Sequence, residues 1–428
     1  MTAEALERAL SAMVPGHDPD AWAMAAYRTA VARSESAVSE DDVRRALDLL
    51  DRAARILTAS RSPVEHARIL TASANCHRQL GRPDRAASLF DEAADLLVDR
   101  APPPEQAAAL INQGLARVEI GHARDALGPL DQAIALVGKG SEEAERRVYG
   151  AALINRAQAQ QSIGSVAALH AAVDDYDVAS RVLDDESPQR GMALHARGAA
   201  IMELMKLGDT LLTSDDAIEE FTSCLRVLTA HAFPFQHAVA QHSLAIAHET
   251  RNAPLDLERA LNHVEIAISM FDPRLHTGQW QTAAVALGRI EARLAENRAG
   301  ATRADHFVAL LVGVDTTERT RLLRDRLEPL SRQPDERIRR DLAGLCSAMT
   351  TLSVPEHGVV FRSMLPVLME LPETMLAAAC AALCDAHQAT GAATSFDASV
   401  DAVIHDLLHG PQRVRVRDLL ESHGWTRP

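Results

Sequence analysis

One order of small and large apolar residues recurs along the chain, with a period of forty residues in its first three copies. Three segments align at that spacing without gaps: "RRALDLLDRAARIL" (44–57), "DRAASLFDEAADLL" (84–97) and "RDALGPLDQAIALV" (124–137). In each segment an alanine is followed four positions later by a large apolar residue and seven positions later by another alanine. These three positions lie on one face of an α-helix. The pattern therefore predicts one amphipathic helix in each repeat.

Later segments have the same order of small, large and small side chains. They contain the triplets Ala172, Tyr176 and Ala179; Ala217, Phe221 and Cys224; and Ala260, Val264 and Ala267. Small residues two turns apart allow a neighbouring helix to approach closely, while the large residue between them fills the groove. The six copies predict a stack of closely packed helices.

A second helical segment precedes most copies. Its clearest examples are "ARILTASANCHRQLG" (67–81), "AAALINQGLARVEIG" (107–121) and "GAALINRAQAQQSIG" (150–164). Each ends in glycine, the residue at which many helices stop. Pro63, the run 102–104, Pro188, Pro234 and Pro273 separate successive units. Each unit is therefore predicted to be a helix, a tight turn and a second helix.

This pattern resembles the tetratricopeptide repeat family. The small residues at the eighth position of the family's repeat are matched by Ala74, Gly114, Ala157, Gly198 and Ala245. The period of forty exceeds the thirty-four that is usual in the family. Phrases such as "LTAHAFP" (228–234) and "LINQG" (110–114) are similar to those of a bacterial subclass with long helix pairs. The resemblance extends from Trp22 to Asn297 and implies an all-α fold, an α-solenoid of helix pairs.

Three regions are predicted along the chain. Residues 1–20 form a lead-in helix, residues 21–299 form a superhelix of about six to seven helix pairs, and residues 300–428 form a C-terminal helical bundle or degenerate repeats. The last region keeps helix-length apolar periodicity and is expected to cap the exposed apolar end of the array. A loop over 390–401 is expected to lead into a further helix.

In the family, the first helix of each pair lines a concave groove that binds the partner. Carried over position by position, the resemblance assigns groove residues on five first helices: Arg68, Thr71, Asn75, Gln79, Asn112, Glu119, Asn155, Gln158, His195, Glu203, His242 and Glu249. Polar side chains in an alanine-rich groove suit hydrogen bonding to an extended peptide. The family's carboxylate clamp is incomplete, because Thr71, Ala151 and Asn155 occupy positions where it has Lys or Arg.

These features favour a non-catalytic scaffold or adaptor that binds a protein or peptide and needs no cofactor. The alternative is a sensor in which a peptide or small ligand changes the superhelix and thereby regulates an effector. The sequence contains no phosphate loop, dinucleotide-binding glycine motif, nucleophile elbow or kinase motif set. Oligomeric state and partner identity are left open.

One histidine-rich stretch, "FPFQHAVAQHSLAIAHE" (233–249), raises the question of a metal site. Its position in the repeat predicts a first helix. On a helix, His242 lies about 140° around the axis from His237, while His248 lies on the same face as His237 but about 16 Å further along. A metal ion bound at about 2 Å cannot reach all three. These histidines are therefore predicted to have structural or surface roles.

A remote alternative is a metal-dependent enzyme that uses the "HDLLH" motif, with His405 and His409 at i and i+4. That spacing resembles the zincin motif, but Asp406 occupies the place of the general-base glutamate, and no third ligand is evident. Cys380 and Cys384, also at i and i+4, are surrounded by alanine and are predicted to be core residues. No metal ligand is assigned beyond these weak candidates.

Composition and charge restrict the partners. The formal charge is −15 and the pI is about 5.6, which argues against nucleic-acid or anionic-membrane binding. The arginine-rich segment 319–340 contains interleaved acids and is interpreted as a solvated helix rather than an anion-binding patch. The acidic N-terminus and the absence of a long apolar run predict a cytoplasmic protein. Its five cysteines are predicted to be reduced and buried.

Overall fold

The computed structural model describes residues 3–138, 142–390 and 393–425. In these ranges the chain forms 21 α-helices and no strands. The fold is all-α, an α-solenoid of helix pairs, as the sequence predicts. By its internal contacts the chain divides into two compact units, Met1–Asp216 and Ala217–Pro428. The helix α11, Ser214–Val227, spans that division.

The first unit consists of a lead-in helix followed by helix pairs. Its helices are α1 Ala3–Ser11, α2 Pro19–Glu35, α3 Glu40–Ile56, α4 Pro63–Gln79, α5 Pro83–Leu97, α6 Pro103–Glu119, α7 Ala123–Val137, α8 Glu143–Ile163, α9 Val166–Val182 and α10 Pro188–Lys206. Packing is extensive within the pairs α2/α3, α4/α5, α6/α7 and α8/α9. Each pair is therefore one repeat of the predicted type.

The second unit begins with a further helix pair, α12/α13, and continues into the C-terminal region. Its helices after α11 are α12 Pro234–Arg251, α13 Asp256–Met270, α14 Thr277–Asn297, α15 Arg303–Gly313, α16 Thr316–Leu330, α17 Asp335–Met349, α18 Val354–Glu370, α19 Glu373–Thr390, α20 Ala393–Leu407 and α21 Gly410–Ser422. From α13 onward, alternate helices contact each other in order: α13, α15, α17, α19 and α21. A second row contains α16, α18 and α20.

Proline and glycine set the ends of the helices. Proline occupies the first turn of α2, α4, α5, α6, α10 and α12, where its missing N–H costs nothing. Gly81, Gly121 and Gly164 have φ values of 67°, 84° and 71°. This left-handed conformation costs glycine little, because glycine has no Cβ atom. The predicted stops at these three glycines are confirmed.

The predicted triplets of small and large residues form the core. Every alanine and cysteine of the six triplets has no exposed surface, and the large residue between them is at most 2% exposed. The small residues predicted on the first helices, from Ala74 to Ala245, are also buried. The packing prediction is therefore confirmed in all six copies.

Gly114 shows how closely two helices of a pair approach. A Cβ atom built at Gly114 on α6 would lie 2.6 Å from Cγ of Leu130 on α7, and Leu130 is completely buried. Valine at this position cannot be accommodated without moving Leu130. We therefore expect Gly114→Val to lower the free energy of unfolding by about 1–3 kcal/mol, measured by urea denaturation followed by circular dichroism.

A control for Gly114 lies in the middle of α14. A Cβ atom at the exposed Gly288 meets nothing within 4 Å, so Gly288→Ala should raise stability by about 0.5–1 kcal/mol. A second check introduces Gly114→Val into the variant Leu130→Ala, where it should lower the free energy of unfolding by less than it does in the wild type. An equal loss with Leu130 and with alanine at that position would contradict the close contact between α6 and α7.

The C-terminal region has a hydrophobic core of its own. Buried side chains between Phe307 and Trp425 form one cluster drawn from α15 to α21. This cluster supports the proposed helical domain over 300–428, whose boundary stays a prediction. The predicted loop over 390–401 is wrong for most of its length, because α20 begins at Ala393. Among the described residues, no helix combines the length and the apolar character needed to cross a bilayer.

Candidate functional site

A cavity of about 800 Å³ lies between α2, α4 and α6 in the first unit. Half of the twelve predicted groove residues line it: Arg68, Thr71, Asn75, Gln79, Asn112 and Glu119. The four on α4 are three or four positions apart in sequence, so one helix face presents all of them. We call this space the α2/α4/α6 cavity.

Two arginine–glutamate pairs connect α4 to α6 in the wall of the cavity. Nε and Nη2 of Arg68 donate to the carboxylate oxygens of Glu105 at 2.7 and 3.0 Å, and this hydrogen bonding raises the pKa of Arg68. Ten residues further along α4, Arg78 forms a similar two-point contact with Glu119, with Nε 2.8 Å from Oε2. Such two-point geometry fixes both side chains. These four charges are therefore matched to one another.

Uncharged polar groups lie between the two ion pairs. Thr71 and Asn112 make no hydrogen bond to any other described residue, while Asn75 Oδ1 accepts a long one, at 3.4 Å, from Arg78. All three side chains are half-buried. Tyr27 on α2 also lines the cavity, and burial raises the pKa of its hydroxyl. The cavity thus offers carboxamide and hydroxyl groups for new hydrogen bonds.

The other six predicted groove residues do not line the α2/α4/α6 cavity. Asn155 on α8 donates to the carbonyl oxygen of Ala151 at 2.8 Å, and Gln158 is exposed. His195 and Glu203 lie on α10, where Glu203 accepts a hydrogen bond from Gln161 at 2.9 Å. Their roles in a groove stay predictions.

The last two predicted groove residues, His242 and Glu249, lie on α12 in the second unit. Glu249 accepts hydrogen bonds from Arg289 on α14 at 2.6 and 2.7 Å. Nε2 of His242 is buried and has no hydrogen-bond partner in the part of the chain that the structure describes. Burial lowers the pKa of His242. Glu249 is therefore already engaged in a contact between α12 and α14.

Sequence reasoning missed Tyr27, Arg78 and Glu105 as cavity residues. A signal for two of them exists in the spacing, since the ion pairs join residues about one repeat apart: 37 positions for Arg68 and Glu105 and 41 for Arg78 and Glu119. Searching for opposite charges at the repeat period would have found both pairs. Tyr27 has no such signal.

The histidine-rich stretch forms α12, as predicted, and two of its histidines belong to a buried network. Nδ1 of His237 lies 2.8 Å from the carbonyl oxygen of Leu228, and its Nε2 accepts from the Gln241 amide at 3.1 Å. Gln241 Oε1 in turn accepts from Nδ1 of His263 at 2.6 Å. His263 stacks on His248 with ring centroids 5.5 Å apart. Burial lowers the pKa of all three histidines, which favours their neutral forms.

Stability should also depend on pH through His195, which is half-buried on α10. Burial lowers the pKa of His195 from 6.5 to about 4, so between these values the unfolded chain binds a proton that the folded chain does not. The contribution of neutral His195 to the free energy of unfolding is fully present above pH 6.5 and is lost as the pH falls towards 4. Between pH 7.5 and pH 5, protonation of this residue in the unfolded chain should alone lower the free energy of unfolding by roughly 2 kcal/mol.

The variant His195→Gln tests this pH dependence by urea denaturation at pH 7.5 and pH 5. The wild type should lose more stability than the variant over this interval, by roughly 2 kcal/mol. An identical loss in both proteins would contradict a depressed pKa at His195. The control is Gln132→Ala, at an exposed position that carries no titratable group, and it should leave the pH dependence unchanged.

The "HDLLH" interpretation is wrong in its geometry. Helix α20 ends at Leu407, and His409 has an extended backbone with φ −125° and ψ 150°. Pro411 disfavours helical geometry at the preceding residue, and Gly410 has a φ of 52°. His405 and His409 therefore do not share a helix face, and both are exposed.

The predicted core role of the cysteines is confirmed. All five are buried and free of disulfides, and burial raises the pKa of Cys380 to about 12. Cys384 Sγ donates to the carbonyl oxygen of Leu420 at 3.6 Å. Within residues 3–138, 142–390 and 393–425, no group of three or more His, Cys, Asp or Glu side chains is arranged to hold a metal ion.

No family model matches the chain, and neither does any curated protein. Among solved structures, a kinesin light chain-type protein of Podosopora anserina with nearly identical TPR-like repeats is similar, at 19% identity over 56% of this chain and 99% of its own, with a TM-score of 0.37. A Rap protein in complex with competence and sporulation factor is 14% identical over 69% of this chain and 80% of its own, with a TM-score of 0.44.

A further similar structure is a signal transduction ATPase of the STAND type with a tetratricopeptide repeat sensor, from Pyrococcus horikoshii. It is 13% identical over 86% of this chain and 53% of its own, with a TM-score of 0.39.

Proposed function

We propose that the chain is a non-catalytic interaction scaffold that binds an extended peptide segment of a partner protein in the α2/α4/α6 cavity. The observation that carries the proposal is the set of Thr71, Asn75 and Asn112, which line the cavity between two satisfied ion pairs. Each carboxamide offers a donor and an acceptor. That combination matches the alternating N–H and C=O groups of an extended backbone.

The charged residues that line the cavity indicate which kind of peptide it binds. The charged residues that line the cavity are two arginines and three glutamates, Glu35, Glu105 and Glu119. Since both arginines are paired with glutamates, the cavity has a small negative excess and no unmatched cation to hold a carboxylate. A neutral or weakly basic segment fits this balance better than an acidic tail. Ala108 and Ala109 leave room for the backbone of the segment to approach.

A peptide-display library selected against the immobilised chain tests the proposal. The best enriched peptide is then titrated by calorimetry into the wild type, Asn75→Ala/Asn112→Ala and the control Gln132→Ala, which removes an exposed carboxamide from α7 outside the cavity. Alanine favours helix, so the variants should stay folded. Loss of hydrogen bonds at two sites should weaken binding about tenfold or more in the double variant only.

Two outcomes would count against the scaffold. Equal affinity of the peptide for the wild type and the double variant would place its binding site elsewhere on the chain. Failure to enrich any peptide would favour the sensor of a small ligand over a peptide-binding scaffold.

A further inference from the structure

The arginine-rich segment 319–340 is not one solvated helix. It is divided between α16 and α17, and Arg319 is buried, with Nε and Nη2 donating to the carbonyl oxygens of Leu311 and Val314 at 2.5 Å. Arg326, Arg337 and Arg340 instead line a cavity of about 440 Å³, together with Arg303 of α15. Helices α13 to α17 of the second unit surround it. We call it the α13–α17 cavity.

Two of its four arginines are neutralised by neighbouring carboxylates. Arg326 Nη1 lies 2.8 Å from Glu265 Oε2, and its guanidinium lies 4.4 Å from the centre of the Phe307 ring. Arg303 Nε lies 2.5 Å from Glu291 Oε1. Each of these cations is therefore held in place with a carboxylate of its own.

The other two arginines share one carboxylate. Asp341 Oδ1 lies 3.4 Å from Arg340 Nε, and Asp341 Oδ2 lies 3.8 Å from Arg337 Nε. The second distance is too long for a hydrogen bond, and the buried Arg337 Nε has no hydrogen-bond partner among the described residues, while its Nη1 makes a long contact of 3.5 Å with Gln333 Oε1. Two guanidinium groups and one carboxylate leave one positive charge unmatched. This excess attracts an anion.

The same cavity has an extensive apolar lining. On α17 the lining changes along the helix from Arg337, Arg340 and Asp341 to Leu342, Gly344 and Leu345. Helices α13, α14 and α16 contribute Ile266, Ile268, Leu287, Leu327, Pro329 and Leu330, and α15 contributes Ala304. A ligand that fills the space must therefore bury apolar surface as well as present a negative charge.

We propose that the α13–α17 cavity binds an aliphatic carboxylate. Arg337 and Arg340 hold the carboxylate group, for which the planar guanidinium has matching two-point geometry. The aliphatic chain packs against Ile268, Leu287 and Leu330, which line the cavity and keep part of their surface exposed. This site is separate from the α2/α4/α6 cavity and does not depend on peptide binding there.

Calorimetric titration of decanoate into the full chain at neutral pH tests this site. The wild type should bind one decanoate per chain. Arg337→Gln/Arg340→Gln should weaken binding at least tenfold, whereas Arg339→Gln, on the same helix but outside the cavity, should leave it unchanged. The variant Asn75→Ala/Asn112→Ala should also bind decanoate as the wild type does.

Ligand variation on the wild type keeps the test independent of whether the variants fold. Decanol lacks the carboxylate and acetate lacks the chain, so each should bind at least tenfold more weakly than decanoate. Decanoate that binds the wild type and the arginine double variant equally would overturn the proposal. So would decanol that binds as tightly as decanoate, or the absence of saturable decanoate binding.

Discussion

Asp256→Ala is expected to lower the free energy of unfolding of the second unit by about 3–5 kcal/mol, the cost of removing one partner from a buried ion pair. Asp256 has no exposed surface. Its Oδ1 lies 2.7 Å from Arg251 Nη2 and 3.2 Å from His248 Nδ1, and its Oδ2 accepts from the backbone N–H of Ala253 at 2.8 Å. Burial alone would raise the pKa of Asp256, but these hydrogen bonds outweigh burial and lower it.

The consequence of losing this carboxylate extends beyond one contact. Asp256 fixes the turn between α12 and α13 and the ring of His248, on which His263 stacks. Urea denaturation followed by circular dichroism measures the loss. Glu258→Ala removes an acid from the same helix turn and should change stability by less than about 0.5 kcal/mol. If Asp256→Ala matched that control, the buried carboxylate would contribute nothing to the fold.

Phe90→Ala is expected to cost about 3–5 kcal/mol of stability in the first unit, because it leaves a large cavity in a packed core. Phe90 on α5 is 1% exposed and belongs to a cluster with Leu70 and Ala74 of α4 and Ala109 of α6. Ala109 also lines the α2/α4/α6 cavity. Loosening these helices should therefore weaken peptide binding as well.

Two control variants separate the effect of losing side-chain volume in the core from the effect of truncating any apolar side chain near α5. Phe90→Leu keeps most of the side chain and should cost less than about 1.5 kcal/mol. Val98→Ala, at the exposed end of α5, should change stability by no more than about 0.5 kcal/mol. Urea denaturation again gives the values. A loss for Phe90→Ala no larger than that for Phe90→Leu would show that the space collapses and that this core is not closely packed.

The helix pairs were predictable because their signal is local. Alanine at 46 and 53 with Leu50 between them specifies a helix face and its packing partner within eight residues, and the same order recurs five more times. Helix ends were predictable for the same reason, since Gly81 and Pro83 act on their own backbone. The end of α20 before His409 also has a local signal, because Gly410 and Pro411 follow it directly in the sequence.

The electrostatic arrangement was not predictable in this way. Whether Arg68 is free to bind a ligand depends on the distance to Glu105, which is set by the packing of α4 against α6 and not by the sequence near either residue. The same holds for His263 and Gln241, which are 22 positions apart. Groove residues could therefore be located on their helices, but their bonding partners could not be assigned.

Photo-crosslinking tests the central claim most directly. A peptide enriched against the chain is synthesised with a benzophenone side chain, irradiated in complex with the wild type, and the crosslinked residues are identified by mass spectrometry. Binding in the α2/α4/α6 cavity predicts crosslinks on α2, α4 and α6, at or beside Tyr27, Thr71 and Ala108. Crosslinks confined to the second helices α3 and α7, or to residues 217–428, would contradict it.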